Sequence, residues 1–176
     1  MENNNIWRYS TVAIILHWLI AFLVLALIGC GWYMLSIEDQ PNSGWYFDLH
    51  KSFGLVAATL ILYRLIWRLL HTPAPLPTSV ARWQAVLSRL IHWLLYLCMI
   101  LMPVSGFIGA SYGRYGVSFF GLQLPTWADP NHAISKQLFN IHGIVAWILV
   151  SLISLHVLAA MKHLFINKDK VFQRMI

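Results

Sequence analysis

Residues 141–163 read IHGIVAWILVSLISLHVLAAMKH, and this stretch decides how the rest of the chain is to be read. From Leu138 to Met161 there is no Asp, Glu, Lys or Arg, and an apolar run of about 20 residues is what a helix needs to cross the hydrocarbon core of a bilayer. Within the run stand two histidines, His142 and His156, fourteen residues apart. At about 3.6 residues per turn they return to nearly one face, separated by about 21 Å along the axis. The stretch therefore predicts a membrane helix that presents an imidazole near each surface of the bilayer.

Moving outward, the same kind of segment recurs. The chain has 176 residues, 59% of them hydrophobic and 10% charged, with a mean hydropathy of +0.66, a balance foreign to a water-soluble globule of this size. Thr11–Leu35 is uncharged and runs into the turn-like Glu38-Asp39-Gln40-Pro41-Asn42. It is too long for a signal-peptide core and lacks a small-residue cleavage site, so it is expected to be retained. Phe47–Leu70 carries Asp48 and Lys51 at its start and Arg64 and Arg68 near its end, where long side chains snorkel towards the interface. Leu90–Gly113 is uncharged and contains Pro103, which removes a backbone donor and is expected to kink the helix.

One all-α membrane domain over residues 1–176 follows: a four-helix bundle with spans near 11–35, 47–70, 90–113 and 138–161. With both termini cytoplasmic, nine basic residues fall inside (Arg8, Arg64, Arg68, Arg82, Arg89, Lys162, Lys168, Lys170, Arg174) and three outside (Lys51, Arg114, Lys136). The net charge of +6 is thus a topology signal and an attraction to the lipid bilayer, and no nucleic-acid motif accompanies it. The proline-rich link 72–79, TPAPLPTS, is expected to be stiff and extended. The stretch 116–127, GVSFFGLQLPTW, is too apolar for a solvated loop and is expected along the interface. Cys30 and Cys98 are expected at different depths, as unbonded packing residues.

Ionisable groups inside a span are costly enough to imply function. His50 opens the second span at the outer side, matching His142, while His17 lies inside the cytoplasmic end of the first span, matching His156. Four residues after each of these histidines, on the same helix face, stands a small residue: Ala21, Gly54, Ala146 and Ala160. Small neighbours leave room for a flat macrocycle beside its axial ligand. Zinc wants three or four ligands converging on one point, which pairs about 20 Å apart do not supply. A haem iron takes two axial imidazoles on opposite faces of an apolar ring, which two depth-matched pairs do supply. His92 and His163 lie near cytoplasmic span ends and stay open, His163 competing for the inner iron; His71 and His132 read as interfacial or loop residues.

Several segments together resemble the prokaryotic cytochrome b561 family, particularly its small stand-alone members of the superoxide oxidase kind. They are RYSTVAIILHW (8–18), LHKSFG (49–54), the Arg64 and Arg68 pair followed by PAP, HWLLYLCMILMPVSG (92–106), FGLQLP (120–125), residues 141–163 and the terminal NKDKVFQRM. The resemblance implies two b haems, with iron ligated by His17 with His156 and by His50 with His142, in a bacterial inner membrane protein. It further implies transfer of electrons from superoxide to ubiquinone, an oxidoreductase activity in which Lys51, Arg114 and Lys136 would attract the anion. Other members of the family pass electrons between quinone and a hydrogenase or other reductase, which would require a soluble redox partner. A haem-free transporter or scaffold is the remaining class, and it would show no Soret band.

Overall fold

A computed structural model describes residues 8–41, 43–71, 75 and 80–176 of the chain. Four long helices dominate it: α1 (Thr11–Ser36), α2 (Ser43–Leu70), α3 (Arg82–Ser111) and α4 (His132–Lys162). All four are long and apolar enough to cross a membrane. Local signals set their ends. Ser10 caps α1 by accepting from the Ala13 N–H at 3.4 Å, and Asn131 caps α4 by accepting from the Ile134 N–H at 3.2 Å. Because of that second cap α4 begins at His132, which the sequence reading left in a loop. Pro103 sits within α3, which continues past it to Ser111. The proline-rich link falls outside the described residues except for Pro75.

The distribution of polarity is that of a protein dissolved in lipid. Phe22 is 74% exposed, Leu70 73% and Leu158 65%, whereas Ser52 and Ser118 are almost completely buried. In water such apolar exposure would drive aggregation; in hydrocarbon the polar groups are the ones that need cover. Helix contacts use small and hydroxylated residues accordingly. On α3, a side chain at Gly109 would press on Leu138 and Phe139 of α4 at 3.3 Å, and the Ser135 hydroxyl donates to the Gly109 carbonyl at 2.9 Å.

The apolar core lies at mid-depth and draws on every helix: Leu16, Ile20 and Val24 from α1, Ala57 and Ile61 from α2, Leu95 and Cys98 from α3, Val145, Leu149 and Leu152 from α4. Both cysteines are free. Along the backbone, α3 packs on α4, α1 on α2 and α2 on α3; neither α1 nor α2 makes an extended backbone contact with α4. They meet it through side chains, as Trp32 of α1 meets Trp147 of α4 with ring centroids 5.7 Å apart. A gap bridged by side chains is thus built along one side of α4.

The stretch 116–127 folds into a small hairpin. Strands β1 (Ser118–Phe119) and β2 (Leu122–Gln123) pair antiparallel around a turn in which Phe120 and Gly121 both take positive φ, 47° and 86°. The hairpin docks on the first turns of α2. The Ser118 hydroxyl donates to the Asp48 carboxylate at 2.7 Å, the Phe120 N–H donates to Ser52 Oγ at 2.8 Å, and the rings of Phe53 and Phe120 meet edge to face.

After α4 a π-helical turn (His163–Asn167) ends at Lys168 in the left-handed region, and a 3-10 turn (Phe172–Met175) brings the chain back to its start. There the Tyr9 N–H donates to the Arg174 carbonyl at 3.2 Å and the Trp18 indole donates to the Met175 carbonyl at 2.7 Å. The segments before α1 and after α4 therefore share one end of the bundle.

Candidate functional site

The four histidines singled out by depth come together as two pairs. The rings of His17 on α1 and His156 on α4 have centroids 6.1 Å apart; those of His50 on α2 and His142 on α4 are 6.3 Å apart. One pair lies to either side of the apolar core, and both bridge the gap between α4 and the helices it does not pack against. Two metal–nitrogen bonds of about 2 Å each, with the half-widths of two imidazoles, separate ring centroids by roughly 6 Å. The residues present therefore fit an iron with one imidazole on each side, at two levels.

Their surroundings fit as well. His142 Nδ1 lies 3.0 Å from the Met102 carbonyl and 3.2 Å from Ser105 Oγ, so that nitrogen is held by α3 and the other is left for a ligand. Gly106 makes this approach possible: a Cβ there would meet the His142 ring at 3.1 and 3.2 Å. His50 keeps a buried Nδ1 with no hydrogen-bond partner among the described residues. Beside it, a Cβ on Gly54 would meet nothing within 4 Å. A buried imidazole not tied up by the protein, beside room for a flat ring, fits a residue that would hold a haem iron. Among the described residues, no three His, Cys, Asp or Glu side chains are grouped so as to hold a bare metal ion.

The remaining histidines separate. His163 Nδ1 is 2.6 Å from the Asp169 carboxylate, which commits it to the folded-back tail. His71 stacks on Trp67 with ring centroids 4.0 Å apart. His92 is different: its ring lies 5.2 Å from that of His156, closer than His17 lies, and its Nδ1 is tied to the Ser88 carbonyl. The level of His17 and His156 thus gathers three imidazoles from three helices. The His17–His156 spacing suits ligands on opposite sides of an iron; the His92–His156 spacing is too short for that.

The outer cation expected beside His50 is not a free one. Lys51 Nζ lies 2.7 Å from the Asp48 carboxylate and donates to the Gly116 carbonyl at 3.4 Å, so its charge is offset by the acid one turn away. The sequence reading singled out none of Gly106, Ser105, Met102 and Ser88 for the site, although the first three lie in the stretch 92–106 that carries the family resemblance. Neither that stretch nor the Ser105-Gly106 pair two residues past Pro103 says which neighbouring helix they face.

Residues 8–176 match the sequence profile of the prokaryotic cytochrome b561 family. Cytochrome b561 homolog 2 of Escherichia coli is 30% identical over 174 residues, which cover 96% of this chain and 91% of that protein. The probable superoxide oxidase CybB of Yersinia pestis is 29% identical over 174 residues, 96% of each chain. Cytochrome b561 homolog 1 of Escherichia coli is 28% identical over 176 residues, 96% of this chain and 97% of that one. With a profile match over nearly its whole length and four membrane-spanning helices, the chain belongs to the prokaryotic cytochrome b561 family of multi-pass membrane proteins that transfer electrons through b-type haem.

Proposed function

We propose that this protein is a di-haem cytochrome of the bacterial inner membrane that takes electrons from superoxide at the outer face and delivers them to ubiquinone. His17 and His156 would ligate the inner iron, His50 and His142 the outer. The observation that carries this reading is the pair of imidazole bridges, 6.1 and 6.3 Å between centroids, across a gap that the backbones of α1, α2 and α4 leave open. Likeness to a probable superoxide oxidase points to the substrate.

Haem iron supplies a reversible one-electron carrier when bound. The protein's part is to hold and insulate. Met102 and Ser105 fix the His142 ring, Gly106 lets α3 approach it, and Leu149, Ile61 and Ile20 fill the space between the two levels. In overall balance, two superoxide anions give up one electron each and become dioxygen, and one quinone takes two electrons and two protons to become quinol. With Lys51 neutralised by Asp48, the outer cations left to attract the anion are Arg114 and Lys136. Both termini would face the cytoplasm, with nine basic residues on that side and three on the other.

Purified protein should show a Soret band and two haems per chain. Superoxide generated in the cuvette should reduce that haem, and a soluble ubiquinone analogue should reoxidise it. Two haems with no reduction above the control would sink the superoxide assignment; co-purification with a stoichiometric soluble reductase would favour a subunit role instead.

A further inference from the structure

Two arginines on α2 stand where the inner level needs them. Arg64 is fourteen residues after His50, the spacing that separates His142 from His156 on α4, and Arg68 is one turn further on the same face. The face of α2 that turns His50 towards the outer bridge therefore turns Arg64 and Arg68 towards the inner one. The structure bears this out at Arg64, whose Nη1 donates to the Ala13 carbonyl at 2.6 Å, one turn before His17. Arg64 also lies within electrostatic reach of His17, His156 and His92. Arg68 donates to the Tyr9 hydroxyl at 3.4 Å and lies over that ring.

Neither guanidinium has a carboxylate partner among the described residues. Glu38, Asp39, Asp48 and Asp129 all belong to the opposite end of the bundle, and Asp169 is engaged by His163. Positive charge held at the edge of a span calls for a counter-anion. Two such charges side by side, next to a pair of imidazoles spaced for an iron, call for two. A b haem carries two carboxylates on one edge of its ring, and arginine is the side chain best suited to carboxylate recognition.

We propose that Arg64 and Arg68 bind the propionate carboxylates of the inner haem, turning that edge of the ring towards the cytoplasmic end of α2. The inference rests on the di-haem reading above. It makes the two arginines binding and positioning residues: they would hold the carboxylates of the group and, as cations, would favour its reduced state.

The test is a redox titration of the full-length protein and of Arg64→Gln, Arg68→Gln, the double variant and Arg64→Lys. The inner haem is identified as the one lost in His17→Ala. Its midpoint should move to more negative potential in each glutamine variant and furthest in the double one, with the outer haem unmoved and the lysine variant close to wild type. If a variant loses the inner haem altogether, wild-type protein stripped of haem and refilled with protohaem dimethyl ester should fill the outer site and leave the inner one poorly occupied. Unchanged potentials in a fully loaded double variant, equal shifts of both haems, or equal filling by the ester would each overturn the assignment. So would a shift seen only in vesicles containing anionic phospholipid and absent in neutral detergent, which would give the arginines to lipid phosphate. Wild-type protein without a Soret band would bring down the di-haem reading and this proposal with it; two haems indifferent to the arginines would bring down this proposal alone.

Discussion

Single glycines separate packing from cofactor binding. Gly106→Ala places a methyl group 3.1–3.2 Å from the His142 ring, so the ring or α3 must shift. Overpacking of this kind costs about 1–3 kcal/mol, and under the di-haem proposal the haem assigned to His50 and His142 should be lost from the purified protein before the other. Gly54 is the complementary case, because a side chain there meets no protein atom within 4 Å. Leucine is preferred over glycine in a helix by up to about 1 kcal/mol, so under the di-haem proposal Gly54→Leu should keep its helix content by circular dichroism while the haem-to-protein ratio falls to about half that of the wild type. The histidines themselves were legible in the sequence because one helix carries two of them at a spacing that fixes depth. Their supports were not. Nothing in the order of residues says that Ser105 and Gly106 of α3 turn towards His142, since that depends on how two helices rotate against each other.

At the scale of elements, the helices were read from hydropathy, while the hairpin was not. Two-residue strands carry too little alternation to register, and the Phe120-Gly121 turn is recognisable only once its positive φ values are seen. What holds it is polar and sits on α2: Asp48 accepts from Ser118 and pairs with Lys51. A hydrogen bond to a charged group is worth about 1.5–3 kcal/mol, so Ser118→Ala should speed amide hydrogen exchange across residues 116–124 with little effect on α3 or α4. The tail has its own clasp. Burial disfavours the charged form of Asp169, but hydrogen bonds from His163 and from the Val171 N–H outweigh it and hold the carboxyl below its usual range. A depressed carboxyl pKa stabilises the clasp above the unfolded value, about 3.9, and that contribution is lost as the pH falls through the lower folded value. Acidification from about pH 5 to well below the unfolded value of about 3.9, through the lowered folded one, should release the tail, seen as altered Trp18 fluorescence, and Asp169→Asn should show a weaker clasp already at neutral pH.

For the whole molecule, the asymmetry of nine basic residues against three predicts which way it sits. A green fluorescent protein fused after Ile176 should fluoresce and an alkaline phosphatase fused there should stay inactive; the reverse result would invert every assignment of inner and outer made above. The bundle was legible at this scale because bilayer-spanning length and charge bias act on whole segments. The open side of α4 was not, because it follows from which helices pack and which only reach across. That arrangement bears on biosynthesis. Both imidazole bridges draw one partner from α4, the last of the four helices to leave the ribosome, and the Trp18 indole finds its acceptor later still, at Met175. A translation product stalled after α3 would hold half of each clasp and complete neither. Under the proposed ligation, loading at either level, and the closing of α1 against the tail, must wait until α4 and the residues through Met175 have been made.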